Sequence, residues 1–351
     1  MMASKNGGNM VRNMLAPLAP FVQNAEYTEI IINTPGKVFV KGADNWKEFD
    51  CPDMDETTLQ GLTRAVATYN DTKEKALSYF TMPDGERCTI VAPPACINGY
   101  YGFVIRKFLP ISKTLNDYVN DGAFSDCLNA SYNIISDSEI RDFSMRKDHA
   151  RISNVDADML YALNERDFLK FFKLAIDARK NIVISGATGS GKTTFMRALI
   201  ELIDKDERLI TLEDVNELKL DSFPNKFHLI FGRGEGQISS SELLEACMRL
   251  TPDRILLAEL RGVEAWDFLK SLNTGHPGAI TSTHTGSTYR AFTRIATLAN
   301  QNDEAKSLGF DNLLSEVFTT IDIVVQLHKR KITEIFFDPI YVSQRKSKLN
   351  N

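Results

Sequence analysis

The sequence predicts an α/β domain with a mainly parallel sheet, preceded by a smaller α+β domain. Three observations carry that reading. The chain has 351 residues, more than one typical domain holds. Before Lys107, short β-branched runs alternate with turn residues, as in an antiparallel sheet. From Asn181 onward, continuous apolar runs alternate with helical stretches, the pattern of strands buried on both faces.

Residues 1–10 are polar and rich in Gly and Asn, and are expected to be disordered. The N-terminal α+β domain, 11–121, opens with apolar residues at helical spacing from Val11 to Gln23, which Pro17 and Pro20 break into short pieces. Glu29–Asn33 and Lys37–Lys41 read as strands around the turn Asn33-Thr-Pro-Gly36. Leu59, Leu62, Val66 and Tyr69 mark a helix over Thr57–Tyr69. Strands follow at Cys88–Val91 and Tyr101–Ile105, then a short helix at Thr114–Val119. The polar, weakly periodic stretch 122–154 is expected to be a linker. In 155–351, Phe168–Ala178 is an amphipathic helix, and strands are expected at 181–185, 208–212, 227–231, 254–258 and 278–281. Ile321–Gln326 and Lys331–Phe337 read as closing strands, joined as a hairpin through His328-Lys-Arg330.

Composition narrows the function. Hydrophobic residues make up 43% and charged residues 25%, the balance of a soluble globular chain. A net charge of −5 argues against a protein that coats nucleic acid, which leaves a basic footprint. The five cysteines form no Cys-x-x-Cys pair, so neither a disulfide framework nor a zinc site is expected. The first residues hold no apolar core of a signal peptide, and no apolar run reaches the ~18 residues a spanning helix needs. Any work at a membrane is expected at its surface.

The chemistry starts at Gly186-Ala187-Thr188-Gly189-Ser190-Gly191-Lys192-Thr193, the full eight-position phosphate-loop pattern. It follows an expected strand and precedes helical spacing from Thr194, the required context. Glycines let the backbone wrap a phosphate, amides point at the anion, and the helix N-terminus adds its positive end. Lys192 is expected to reach the β- and γ-phosphates of ATP, and Thr193 to complete a Mg²⁺ shell. Hydrolysis also needs a carboxylate. Glu213-Asp214 and Glu259 stand at the C-terminal ends of expected strands, where α/β sheets place their sites. Thr274-Gly-His-Pro-Gly278 and Thr281-Ser-Thr-His284 hold two of the five histidines; on residues alone, His276 and His284 stay open between site and scaffold.

Four boxes therefore occur in order: Gly186–Thr193, Leu209-Ile-Thr-Leu-Glu-Asp-Val-Asn-Glu-Leu218, Arg254-Ile-Leu-Leu-Ala-Glu-Leu-Arg-Gly262, and Thr274–His284. Together they resemble the secretion traffic ATPases, the superfamily of type II secretion, pilus-retraction and type IV secretion motors. The resemblance narrows to the traffic ATPase of bacterial type IV secretion systems, the eleventh product of the VirB operon. Thr28–Asn33, Gly85-Glu-Arg-Cys-Thr-Ile-Val-Ala-Pro-Pro94 and Val104-Ile-Arg-Lys107 look like that family as well. The four-cysteine insert of type II relatives is missing, and Ala258 stands where Gly is common.

The resemblance implies a RecA-like ATPase domain and a homohexameric double ring. It implies nucleotide between the two domains, and a cytoplasmic protein peripheral on the inner membrane. Its implied partners are inner-membrane secretion-complex proteins and other secretion ATPases, with no sequence-specific nucleic acid binding. Among site residues it implies Lys192, Glu213 as the water-polarising carboxylate, Glu259 supporting Mg²⁺ and water, and His284 and His276 near the phosphates. Gly186–Thr194 would cradle the nucleotide, and Arg87 and Arg106 would complete the site from the N-terminal domain. The rival class is a nucleic-acid packaging or helicase motor, which would need a basic or aromatic channel.

Overall fold

The computed structural model describes residues 2–42, 45–107, 113–148, 150–232 and 238–349. The chain divides into two compact units, 1–110 and 111–351.

The first unit is a six-stranded antiparallel sheet of β1 (Glu29–Ile32), β2 (Lys37–Lys41), β3 (Trp46–Asp50), β4 (Leu77–Thr81), β5 (Arg87–Val91) and β6 (Gly102–Arg106), in the order β3-β2-β1-β6-β5-β4. Alternation sets its core. Ile30, Val38, Val40, Ile90, Phe103 and Ile105 are buried with Leu59, Leu62 and Val66 of the helix Glu56–Tyr69. That helix starts at Asp55, whose carboxylate accepts the Thr58 amide at 2.7 Å. Most of 1–10 lies in a helix, Met2–Met14, instead of fraying. Its Gly/Asn-rich sequence is a poor helix former, and packing against Glu56–Tyr69 through the buried Val11 compensates. Strands β3 and β4, the two sheet edges, escape the sequence reading: β3 is almost wholly exposed with little apolar patterning, and β4 buries only Ser78 and Phe80.

The second unit holds β7 (Leu128–Asn129), β8 (Ile182–Gly186), β9 (Leu209–Glu213), β10 (Lys226–Ile230), β11 (Arg254–Leu257), β12 (Ile280–Thr283), β13 (Ile323–His328) and β14 (Lys331–Phe336). Their order is β10-β9-β11-β12-β8-β13-β14-β7, parallel from β10 through β13, with β14 antiparallel to β13. Every residue of β8, β9, β11 and β12 is buried, because helices cover both faces. The helices Phe168–Asp177 and Lys192–Ile200 share one core, and Glu264–Asn273, Thr288–Ala299 and Phe310–Thr320 share the other.

Residues 122–154, polar in sequence, hold β7 and the helix Asp137–Met145 and pack within this unit. The Ala130 amide donates to Ile335 O at 2.8 Å, and the Phe124 ring stacks on Phe168 at 4.4 Å. Ser136 and Glu139 form a capping box that starts the helix.

At the N-terminal ends of the strands, the buried Arg254 binds both oxygens of Glu207 at 2.8 Å and Ile176 O at 2.9 Å. Asn181 beside it accepts the Gly278 amide at 2.9 Å and donates to Thr320 O at 2.8 Å, while Asp322 accepts the Asn181 amide at 2.8 Å.

Candidate functional site

The sheet order sets β9, β11, β12 and β8 side by side and parallel, so their C-terminal ends form one edge. Each end carries one of the four boxes. At β8 the backbone turns sharply at Gly186, where a Cβ would lie 2.5 Å from Ser190 Oγ and 2.7 Å from Leu327 O. Only glycine fits so close an approach. Gly191 caps the helix Lys192–Ile200 in the left-handed region, φ 96°, with no side-chain cap. Ser190 Oγ is buried without a hydrogen-bond partner among the described residues. A helix N-terminus, an orphaned hydroxyl and a glycine cradle suit a phosphate anion. Ala187, Thr188 and Gly189 form the exposed top of the loop, and Thr193 and Thr194 lie half-buried in the helix's first turn.

Lys192 is buried, and its ammonium donates to Gly186 O at 2.8 Å and Ala187 O at 3.2 Å. It also lies 3.1 Å from His284 Nδ1. Nδ1 is also 3.2 Å from Gly186 O, so it accepts from Lys192 when the ring proton sits on Nε2, or donates to that carbonyl when it carries a proton itself. That Nε2 is 2.8 Å from Glu259 Oε1. Arg261 Nη2 donates to Glu259 Oε2 at 2.9 Å, and its Nη1 to Asp214 Oδ2 at 2.6 Å. One hydrogen-bonded row therefore runs Lys192–His284–Glu259–Arg261–Asp214 across the four strand ends. Burial alone would raise the Glu259 carboxyl, but His284 and Arg261 outweigh it and hold it at about 2. Burial pulls the Arg261 guanidinium down, and its two carboxylates more than reverse this.

Glu213 is on the same edge but outside this row. It is fully buried, and its Oε2 accepts the amides of Glu217 at 2.7 Å and Leu218 at 3.0 Å. His228 Nδ1 stands 3.8 Å from Oε1. Burial pushes the carboxyl up to about 7, which the two amide bonds only partly oppose.

Two groups of expected site residues lie elsewhere. His276 precedes β12 and sits near the strand's N-terminal end, whereas His284 follows its C-terminal end, so β12 separates them. Arg87 and Arg106 are cross-strand neighbours of β5 and β6 in the first unit. Arg261 is a site residue that the sequence reading missed, while its partner Asp214 stood among the candidate carboxylates. A signal was available: Glu259 and Arg261 are two residues apart after a strand, a spacing that points extended-chain side chains the same way.

The family model described as "Type II/IV secretion system protein" matches residues 141–334. Over 340 residues the chain is 34% identical to the type IV secretion system protein VirB11 of Bartonella henselae, covering 94% of this chain and 93% of that protein. It is also 34% identical over 327 residues to the type IV secretion system protein PtlH of Bordetella pertussis, covering 90% and 89%. The crystal structure of the VirB11 ATPase from Brucella suis in complex with sulphate superposes with a TM-score of 0.54 at 33% identity, covering 99% of this chain and 100% of that one.

Proposed function

We propose that this ATPase, which belongs to the type II/IV secretion system family and within it to the type IV secretion ATPases, hydrolyses Mg-ATP as a homohexameric motor that powers transport across the cell envelope. The motor works in the cytoplasm, peripheral on the inner membrane, against inner-membrane secretion-complex proteins and other secretion ATPases. Among the described residues no helix is long and apolar enough to cross a membrane, which accords with a peripheral site.

The observation that carries this reading is the row from Lys192 to Asp214, which ends at the phosphate cradle. Lys192 binds the terminal phosphates and neutralises the charge that develops on the transferred group. Thr193 and an ionised Glu259 are a hydroxyl and a carboxylate, the oxygen donors that suit a hard cation keeping most of its water. Bound there, Mg²⁺ would neutralise phosphate charge. Glu213, with a carboxyl near neutrality, is suited to take a proton from the attacking water. His284 keeps Glu259 and Lys192 in register.

The family resemblance also offers Arg87 and Arg106 as phosphate ligands. They stand directly opposite one another on adjacent strands, with Glu29 opposite Arg106 on its other side. Their planar forks suit phosphate oxygens.

The test is phosphate release by the intact chain, sized by chromatography and assayed with and without lipid vesicles. Hydrolysis in the hexamer-sized fraction, lost in Lys192→Ala by about a thousandfold, is the expected result. Wild-type turnover in that variant would remove the site, and turnover confined to monomer would remove the ring.

A further inference from the structure

The hairpin joining β13 and β14 has a job beyond closing the sheet. Its two turn residues, Lys329 and Arg330, both sit in the left-handed region, φ 46° and 66°, between the paired His328 and Lys331. Two-residue turns of this kind normally take Asn-Gly, because long side chains resist that backbone. The tip is fastened to the phosphate loop: the Arg330 amide donates to Ser190 O at 3.0 Å. Arg330 Cγ lies 3.7 Å, and its Cα 3.8 Å, from where a Cβ on Gly191 would be. The Arg330 side chain thus starts at the N-terminus of the helix Lys192–Ile200, next to Ser190, whose buried hydroxyl has no partner among the described residues, and its guanidinium is close enough to Tyr118 to act on its hydroxyl. Among the described residues no carboxylate pairs with Arg330. The nearby Lys113, which covers the Tyr118 ring at 4.3 Å, already pairs with Asp121, and Lys331 pairs with Asp126.

A cation on a residue packed at the positive end of a helix is favoured there when an anion joins it. We infer that Arg330 is a nucleotide-binding residue that grips the phosphate chain of a nucleoside di- or triphosphate from the hairpin side of the loop. The inference rests on the nucleotide reading of this site and adds to it a second cation, from a segment outside the four boxes. Because ATP and ADP both carry that part of the chain, Arg330 contributes to binding in ground and transition states alike.

Arg330→Gln, Arg330→Lys and Arg330→Gly in the full chain test this, with Mg-ADP titrations and Mg-ATP turnover. For Arg330→Gln, the Kd for ADP and the KM for ATP should both rise about tenfold with kcat within about twofold, the mark of uniform binding. Arg330→Lys should recover part of the loss, and GDP should weaken as much as ADP, since the contact is to phosphate. Arg330→Gly relaxes the turn, so its Tm without nucleotide should rise while the Tm gain on adding ADP shrinks. An unchanged Kd in Arg330→Gln, or a kcat loss with Kd intact, overturns the inference. So does a Gly variant that melts earlier yet keeps its full ADP response, for then Arg330 only braces the loop. Lys192→Ala, run alongside, separates the two readings: if it still hydrolyses ATP, the site itself is misassigned.

Discussion

Glu213 and Glu259 are the same residue type at equivalent places, each at the C-terminal end of a parallel strand, and their surroundings make them opposites. Glu259 meets two cationic or proton-donating side chains, which hold its carboxyl at about 2. Glu213 meets two backbone amides, the Thr211 hydroxyl and, at 3.8 Å, His228, and burial outweighs them and brings it to about 7. A pair of carboxyls driven apart in this way divides labour: one holds permanent charge, the other exchanges a proton at working pH. Position in the sheet selects both candidates, and the loop that follows each strand decides which task it takes. After β11 the loop supplies Arg261; after β9 it folds back so that its own amides cap Glu213.

The largest expected separation is in turnover. Glu213→Gln keeps the shape and the amide contacts but cannot accept a proton, so hydrolysis should slow by at least about a hundredfold with ATP binding nearly intact. If affinity collapses while turnover persists, the division of labour is reversed and Glu259 is the base. Next comes Arg261→Gln, which cuts the row between Glu259 and Asp214. We expect kcat to fall about tenfold, with partial rescue by Arg261→Lys; a full loss of nucleotide binding would mean that Arg261 shapes the pocket instead of aligning Glu259.

The smallest effect is on stability, and its sign is diagnostic. A buried carboxyl near pH 7 ionises later in the folded chain than in the unfolded one. Stability therefore falls as pH rises from about 4.5 to 7, by about 3 kcal/mol if the whole shift is realised. Glu213→Gln lacks that loss, so its Tm should match wild type at pH 4 and exceed it at pH 8. Glu259 runs the other way: its contribution is present above about pH 4.5 and disappears as pH drops toward 2. Equal Tm for wild type and Glu213→Gln across the range would mean that Glu213 is more hydrated than its burial implies.

Much of this was legible in the residues. The buried strands read clearly because apolar runs such as Ile182–Ser185 and Leu209–Leu212 have no polar interruptions. The phosphate loop read clearly because its glycines answer to backbone geometry. Edge strands β3 and β4 did not, since water on one side relaxes the demand on sequence. The stretch 122–154 looked unstructured because its order comes from partners far along the chain: Asn133 binds Asp338 at 2.8 Å, and Arg166 binds Cys127 O at 3.0 Å. In the site, His276 and His284 belong to one box but lie toward opposite ends of β12, a distinction that spacing alone cannot make. Arg261 looked like a surface charge until the sheet order brought its loop to Asp214.

The charged cluster at the other end of the sheet has a consequence for motion. Arg254, Glu207, Asn181 and Asp322 tie together the N-terminal ends of neighbouring strands and the end of the helix Phe168–Asp177. Beyond the last ladder bonds, such as Leu260 N to Ser282 O at 2.8 Å, the loops at the C-terminal ends are linked through the exposed or half-buried side chains of the row. Hydrogen exchange should register this polarity. Amides around Ile182, Ile255 and Ile280 should exchange only when the whole unit unfolds, and those of 214–218 and 259–262 through small local openings. The sheet would then act as a stiff lever anchored at one end, leaving the loops at the nucleotide edge to absorb the displacement of each turnover.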